Sequence, residues 1–252
     1  MPVTIENLGA VAVIRIEFPE RRNALRPEDA DEISSLMRAQ EKTAEAIVLC
    51  GGPLAFCAGA DLRKIQELAA GGEAAVRNFI YNSFQGLART IRDFPGVVIS
   101  AVDGPATGLG ADIALTCDIC YVGSGGWIEQ GWAKIGAIPG IGGAWTTVRK
   151  AGYSAAWQFV MEQRRWTGPE IEALGLAVSV DGSAEEHAVE RATWITGHTG
   201  EVTRAYKSLL VHSDEESFGV HVERCVNYQA RLVTDPERQA RRLDVLDRST
   251  RN

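Results

Sequence analysis

Long apolar runs and an excess of positive charge are both absent from this 252-residue sequence. No stretch reaches the roughly 18 apolar residues of a transmembrane helix, and no signal-peptide pattern opens the chain, so we expect a cytoplasmic protein without a membrane partner. Lys and Arg number 26 against 33 Asp and Glu, which gives a net charge of −7. Such a chain has no overall attraction to nucleic acid or anionic lipid, so a phosphate-bearing ligand must be held by local groups.

Clustered metal ligands and nucleotide-binding loops are also missing. Cys117 and Cys120 form a single CxxC without a second pair, which is poor support for a zinc site. The four histidines all lie in the C-terminal quarter and lack metal-ligand spacing. Neither the GxxxxGK loop of ATP-binding proteins nor a dinucleotide-binding GxGxxG occurs. We therefore expect no metal, no ATP and no NAD.

Apolar residues make up 45% of the sequence, enough to bury a substantial core in one large domain or two small ones. Residues 11–18 alternate apolar and polar side chains, as a half-buried strand does, and residues 46–50 form a continuous apolar run typical of a strand buried on both faces. Helical patterns over residues 61–68 and 73–94 follow. This alternation of strands and helices predicts an α/β fold.

Two turns rich in small residues stand out. The first, GPATGLG at residues 104–110, follows an apolar strand and opens a helix-like run. The second, AFCAGADL at residues 55–62, leads into a helix that Asp61 is placed to cap. Such turns collect unpaired backbone N–H groups at a helix N-terminus, where they can hold a negative oxygen. Two of them aimed at one point would form an oxyanion hole.

These two turns, together with IGAIPGIGG at residues 135–143 and RRNAL at residues 21–25, resemble the crotonase (enoyl-CoA hydratase/isomerase) superfamily over about residues 3–180. The resemblance implies an α/β fold built as a spiral of repeated ββα units, with residues 1–195 as the core. It also implies a helical C-terminal region at residues 196–252 that packs between subunits in a homotrimer or a dimer of trimers. The tail pattern predicts helices over residues 184–196, 202–212, 214–232 and 236–247.

The resemblance places the oxyanion-hole donors at the backbone amides of Ala60 and Leu109. Their ligand would be the thioester carbonyl of an acyl-CoA, with coenzyme A as part of the substrate and no separate cofactor. Many relatives have glycine where this chain has Leu109. A leucine there keeps the backbone donor but narrows the pocket.

The acid–base pair departs from the hydratase pattern. Hydratases of this superfamily use two glutamates, and the matching positions here are Asp112 and Trp132. Tryptophan cannot exchange a proton near neutral pH, so Asp112 is the candidate acid/base and Trp132 is expected to shape the acyl pocket. Glu129 is a candidate second acid/base if the local chain turns it inward, and Glu162 is a remoter one. The third possibility is a reaction that needs only one base.

The family resemblance implies that coenzyme A binds at residues 21–25 and at residues 58–63. The candidate substrate-binding residues there and at the glycine turn are Arg21, Asn23, Leu25, Ala58, Asp61, Leu62, Arg63 and Gly108. Arg22 and Lys64 are further candidates for phosphate contacts, although any one of these cations is more often a solvated surface charge.

Three functions remain open on the sequence. A one-base isomerase, decarboxylase or C–C lyase acting on an acyl-CoA suits the residues better than a two-glutamate hydratase. A non-catalytic acyl-CoA-binding protein would keep the oxyanion hole without an acid–base pair, and a structural subunit of a mixed oligomer is the third possibility. Dehalogenation is rejected because Gly140 stands where the dehalogenases of this superfamily carry their nucleophilic aspartate.

Overall fold

The computed structural model describes residues 2–199, 201–213, 215–236 and 238–239. Backbone contacts divide the chain into two compact units, Met1–His198 and Thr199–Asn252. Within the described ranges, no helix is both long enough and apolar enough to span a bilayer.

A six-stranded sheet forms the centre of the first unit, in the order β1-β2-β3-β4-β6-β9. Its strands are β1 (Val3–Leu8), β2 (Val11–Ile16), β3 (Ala46–Cys50), β4 (Val97–Val102), β6 (Ile119–Val122) and β9 (Val178–Ser179). The first pair is antiparallel and every later pair is parallel. Parallel strands need crossover connections, which the helices between them supply.

A smaller layer of strands runs beside the main sheet. It contains β5 (Pro105–Thr107), β7 (Trp127–Glu129) and β8 (Trp166–Thr167). Single bridges from Leu25 to Ala60 and from Cys57 to Ala106 extend it. After β3 and after β4, the chain therefore adds a segment to this second layer and then forms a helix. This is the repeated ββα unit predicted from the family resemblance, and the α/β fold is confirmed.

The helices of the first unit are α1 (Pro27–Ala39), α2 (Leu62–Ala69), α3 (Glu73–Phe79), α4 (Gln85–Asp93), α5 (Leu109–Thr116), α6 (Gly143–Glu162), α7 (Gly168–Ala173) and α8 (Ala184–Thr199). Asp61 caps α2 as predicted, accepting hydrogen bonds from the amides of Arg63 and Lys64. The helix predicted over residues 73–94 contains a π-helical turn, Ile80–Phe84, between α3 and α4. Helix α6 is interrupted at Gly152, whose φ is +78°.

The core covers both faces of the main sheet. Every residue of β3 and β4 is buried, because helices and the second layer pack on one face and α8 packs on the other. On the α8 side the contact is made by small residues, with Ala184, Ala188 and Ala192 against the valines of β2 and β3. Burial on both faces explains why β3 reads as a continuous apolar run.

The second unit contains two described helices, α9 (Glu201–His212) and α10 (Phe218–Thr234). Both were predicted to within a few residues. The predicted helix over residues 236–247 lies almost wholly outside the described residues. The predicted boundary at residue 195 falls inside α8, which continues to Thr199.

Candidate active site

The two glycine-containing turns of the sequence lie against each other. A Cβ atom added to Gly110 would be 2.1 Å from the carbonyl oxygen of Cys57. One added to Gly59, whose φ is +109°, would be 3.9 Å from the amide nitrogen of Leu109. Only glycine allows so close an approach of the two backbones. The turns at residues 55–62 and 104–110 therefore converge, which the sequence alone did not establish.

Each turn presents one backbone amide without an internal acceptor. The residues on either side of Ala60 are bonded to Leu25, through Leu25 N to Gly59 O and Asp61 N to Leu25 O, both at 2.8 Å. The Ala60 N–H faces away from that pairing and donates to no atom of the described residues. Leu109 begins α5, so its N–H has no acceptor within the helix, and none is provided elsewhere in the described chain.

Asp112 lies at the start of α5, directly after the turn at residues 104–110, and is fully buried. Its Oδ1 accepts a hydrogen bond from Gln130 Nε2 at 2.7 Å, and its Oδ2 accepts one from Trp132 Nε1 at 3.0 Å. Burial raises the pKa of the Asp112 carboxyl to about 7, against the lowering effect of those two donors. A carboxyl with this pKa has both protonation states populated near neutral pH.

The glycine at position 143 makes room for this cluster of Asp112, Gln130 and Trp132. A Cβ atom on Gly143 would lie 1.9 Å from Asp112 Oδ1, so the carboxyl fits against the start of α6 only because position 143 has no side chain. The indole ring of Trp132 packs on Gly108, whose added Cβ would be 3.6 Å from the ring. Trp132 thus contacts the oxyanion turn with its ring and the carboxyl with its N–H.

Glu129 and Glu162 do not join Asp112. Glu129 is in β7, and its carboxylate, with a side chain only 13% exposed, is paired with Lys134. Its backbone carbonyl accepts from the amide of Gly108 at 3.0 Å, so Glu129 braces the oxyanion turn through its main chain. Glu162 ends α6 and pairs with Arg164 at 2.9 Å. Asp112 therefore accepts hydrogen bonds from neutral side chains only.

The RRNAL loop is built as a support. Asn23 is buried, accepts from the Phe18 amide at 2.7 Å and donates to the carbonyls of Gly51 and Ala55 at 2.9 and 2.7 Å. Arg21 makes two hydrogen bonds to Asp29 and lies over the Phe18 ring. Leu25 is fully buried. Asn23 and Leu25 thus brace the turn at residues 55–62, and Arg21 anchors the loop to α1.

Residues 58–63, the second segment implied in coenzyme A binding, are more open to solvent. Ala58 donates its amide to Arg22 O at 3.0 Å, and Leu62 is 55% exposed at the start of α2. Asp61 pairs with Arg26, which lowers the pKa of the Asp61 carboxyl. Arg22 and Arg63 are exposed, and within the described residues neither forms an ion pair. Lys64 lies 3.8 Å from Glu67.

Three contributors to the site were missed from the sequence. Gln130 and Gly143 contact Asp112 directly, and Arg26 holds Asp61 at 2.8 Å. No local pattern marks Gln130, because a glutamine beside a turn is usually solvated. Gly143 did lie within the quoted IGAIPGIGG segment, where a glycine can signal close approach. Among the residues described, no group of three His, Cys, Asp or Glu side chains is arranged to hold a metal ion.

Known proteins share both the sequence and the fold. The sequence profile of the family described as enoyl-CoA hydratase/isomerase matches residues 6–239. A mitochondrial enoyl-CoA hydratase from Pongo abelii is 31% identical over 174 residues, which cover 68% of this chain and 58% of that protein. A Thermus thermophilus protein, provisionally named an enoyl-CoA hydratase, is 32% identical over 81% of both chains. Against the first curated relatives, the match spans about three fifths of their length.

Solved structures give the same result. An enoyl-CoA hydratase from Bacillus anthracis superposes with a TM-score of 0.89 over 98% of this chain and 97% of that one, at 21% identity. A Thermobifida fusca protein, provisionally described as an enoyl-CoA hydratase and solved in complex with acetoacetyl-CoA, has a TM-score of 0.82 at 27% identity, over 92% of this chain and 95% of that one. The chain therefore belongs to the enoyl-CoA hydratase/isomerase family, that is, to the crotonase superfamily.

Proposed function

We propose that this protein catalyses proton transfer at the α-carbon of an unsaturated acyl-CoA, with a single base and without adding water. The amides of Ala60 and Leu109 bind the thioester oxygen, and Asp112 moves the proton. The observation that carries the proposal is a fully buried carboxyl with a pKa near 7 in the helix that starts at one of two unpartnered amides.

The oxyanion hole lowers the barrier by stabilising the enolate. When the α-proton leaves, negative charge collects on the thioester oxygen, and two fixed N–H donors in a water-poor site stabilise it. Each such donor lowers the activation free energy by about 3 kcal/mol in comparable enzymes. The side chain of Leu109 does not interfere with donation, because the donor is the main chain.

One carboxylate is enough for movement of a double bond. The ionised Asp112 removes a proton from the α-carbon of a β,γ-unsaturated thioester, the electron pair delocalises onto the carbonyl oxygen, and the protonated Asp112, after exchange of its O–H with solvent, delivers a proton to the γ-carbon. Atoms and charge balance without a second reactant. Hydration would need another group to hold and deprotonate water. In this site Trp132 has no group that ionises near neutral pH, and Glu129 is paired with Lys134.

An acyl-CoA substrate is supported by the relatives and by the surface charges. The Thermobifida fusca relative was solved with acetoacetyl-CoA. In this chain, Arg22 and Arg63 are exposed on the two segments that adjoin the oxyanion turn and are available for phosphate groups. Coenzyme A enters as part of the substrate, and no separate cofactor is proposed.

A non-catalytic acyl-CoA-binding protein is the second candidate. One observation favours it, since Asp112 is fully buried and both of its oxygens already accept hydrogen bonds. In a catalyst, one of those bonds must lengthen when the substrate arrives. In a binder, the carboxyl would only support the fold.

The test is hydrogen exchange with solvent. Wild type, Asp112→Asn and the control Glu162→Gln, which changes an exposed carboxylate, are incubated with β,γ- and α,β-unsaturated acyl-CoAs in deuterated water. Mass spectrometry follows the thioesters, and a titration measures binding. We expect deuterium uptake and double-bond migration in wild type and control, and a loss of about 10²- to 10⁴-fold in Asp112→Asn with binding retained.

The other outcomes separate the candidates. Unchanged exchange in Asp112→Asn would refute Asp112 as the base. Tight binding by wild type with neither exchange nor migration would favour the binding protein. A gain of one water would show that hydration survives, and a second proton-transfer group would then be needed.

A further inference from the structure

Gln130 uses only one of its two polar side-chain atoms in the hydrogen bonds around Asp112. Its Nε2 donates to Asp112 Oδ1 at 2.7 Å, while its Oε1 is buried and accepts no hydrogen bond from the described residues. Gln130 itself is 1% exposed. A buried amide oxygen without a donor normally destabilises the folded state. Such an orphan next to the one buried carboxyl of the site points to a second hydrogen-bonding state.

That second state follows from the chemistry of the carboxyl. An ionised carboxylate only accepts hydrogen bonds, whereas a protonated carboxyl has one O–H to donate. If Asp112 is protonated on Oδ1, its O–H faces Gln130 Nε2, which is also a donor, and the two cannot form a hydrogen bond. A half-turn of the Gln130 amide about its terminal torsion exchanges Nε2 for Oε1, and the orphaned oxygen then accepts the O–H. The terminal torsion of glutamine is broad, so the rotation costs little.

Trp132 differs from Gln130 in this respect. Its indole has a donor and no acceptor, so Nε1 can serve the ionised carboxyl at Oδ2 but offers nothing to an acidic O–H. The ring cannot rearrange easily, because it packs on Gly108. The two partners of Asp112 therefore act on different states.

We propose that Gln130 is a two-way positioning residue, donating to Asp112 when the carboxyl is ionised and accepting from it when the carboxyl is protonated, whereas Trp132 serves the ionised form alone. The inference rests on the proposed function insofar as Asp112 is the base that gains and returns a proton. In that cycle, Gln130 keeps the Asp112 carboxyl oriented while the carboxyl holds the proton taken from the substrate.

Charged groups on the neighbouring elements do not complicate the titration of Asp112, since each of the following ones contacts another residue. In α6, Lys150 donates to Cys117 O at 3.0 Å and Arg149 lies over Trp145. In α4, Arg92 also lies over Trp145, and Arg89 lies over Tyr81. Beyond the end of α5, Asp118 accepts from the Val98 amide, and Glu129 is paired with Lys134.

The two partners therefore predict different titrations of Asp112 when each is removed. Trp132→Phe keeps a ring on Gly108 and deletes a donor that only the anion uses, so the pKa of Asp112 should rise by about 1–2 pH units. Gln130→Met keeps the length of the side chain and deletes a partner of both states, so the two losses largely cancel and the rise should stay below about half a unit.

The measurement is a ¹³C NMR titration of carboxyl-labelled Asp112 in the full-length protein. Asp112→Asn identifies the resonance, and Trp157→Phe, which changes an exposed tryptophan of α6, is the control. The pH profile of deuterium exchange is recorded in parallel for each variant. Near-UV circular dichroism confirms that each variant is folded before its titration is interpreted.

A large shift in Trp132→Phe with a small one in Gln130→Met supports the proposal. It should be accompanied by at least a 10-fold lower exchange rate in Gln130→Met at all pH values, because the carboxyl loses its orientation. Equal shifts, or a larger one in Gln130→Met, would overturn the two-way role. If Asp112 titrates as predicted but Asp112→Asn still exchanges normally, the proposed function fails while the hydrogen-bond assignment stands.

Discussion

At the scale of single residues, the site depends on where side chains are missing as much as on where they are present. Asp112 is the chemical group, but its position is set by glycines. Gly143 admits Asp112 Oδ1, and Gly110 admits the Cys57 carbonyl. A Cβ atom at these two positions would lie 1.9 and 2.1 Å from the respective oxygens, far closer than a normal contact. A methyl group at either position would displace one of these oxygens.

Gly143→Ala tests this directly. The added Cβ would be 1.9 Å from Asp112 Oδ1, so the carboxyl must move. A shift of this size misplaces the base, and we expect the exchange rate to fall about 10²-fold while acyl-CoA binding is retained. The matched control is Gly86→Ala in α4, where the new methyl meets nothing within 4 Å.

Gly86→Ala should leave exchange unchanged and stabilise the protein by up to about 1 kcal/mol, since alanine favours a helix over glycine. Exchange by Gly143→Ala at the wild-type rate would show that Asp112 is not held as tightly as its contacts imply.

At the scale of elements, the oxyanion turns are positioned by loops that carry no chemistry themselves. Asn23, with φ +59°, joins the end of β2 to the segment between β3 and α2 through its three shortest hydrogen bonds, at 2.7, 2.9 and 2.7 Å. This cross-link places Leu25 beside Gly59 and Ala60. The motif at residues 21–25 therefore has a structural role in joining these segments. Its predicted role in binding coenzyme A stays a prediction.

Asn23→Ala should consequently weaken the fold. It leaves the Phe18 amide and two carbonyls without partners in a buried place, at a backbone conformation that alanine adopts less readily than asparagine. We expect the free energy of unfolding to fall by about 2–4 kcal/mol, measured by urea denaturation. Asn82→Ala is the control, because Asn82 is exposed and bonded only to Asn78. Equal effects of the two substitutions would contradict the cross-link.

At the scale of the whole molecule, the buried carboxyl links stability to pH. Folding raises the pKa of Asp112 from 3.8 to about 7, so between these values the folded protein binds more protons than the unfolded chain. Stability from this group therefore falls as pH rises from about 4 to about 7 and is constant above. At pH 8 the ionised form costs the folded state about 4 kcal/mol.

Asp112→Asn removes that dependence. It should be more stable than wild type at pH 8, by up to a few kcal/mol, and the difference should shrink towards pH 4. Urea unfolding of both proteins across this range is the measurement, with Glu162→Gln as a control for loss of a surface carboxylate. A difference that does not vary with pH would show that Asp112 does not titrate near neutrality in the folded state.

Assembly is a second prediction at this scale. The homotrimer or dimer of trimers implied by the family resemblance has support in the second unit, where Tyr206, Leu210, Phe218 and Val226 expose 60–81% of their surface. Multi-angle light scattering should give three or six times the chain mass of 27.3 kDa. A second measurement on Phe218→Asp should show a smaller assembly, and a wild-type monomer at micromolar concentration would refute the prediction.

Much of the molecule could be predicted from sequence because the relevant signals are local. Apolar periodicity and continuous runs placed most of the helices and strands, since a strand buried on both faces must be apolar throughout. The glycine-rich turns indicated unpaired amides, and the motifs around Ala60, Leu109 and Asp112 placed the chain in its family. These features depend on residues that are near one another along the chain.

The tertiary structure decided what depends on distant pairs. The turns that carry Ala60 and Leu109 come together only because Gly59 and Gly110 let the two segments touch. Trp132, predicted as a pocket wall, proved to be a hydrogen-bond donor to Asp112. No local signal linked Gln130 or Gly143 to Asp112, because that partner is 18 or more residues away in sequence. The neutral pKa of Asp112 arises from burial, which is a property of the packed fold and not of any stretch of sequence.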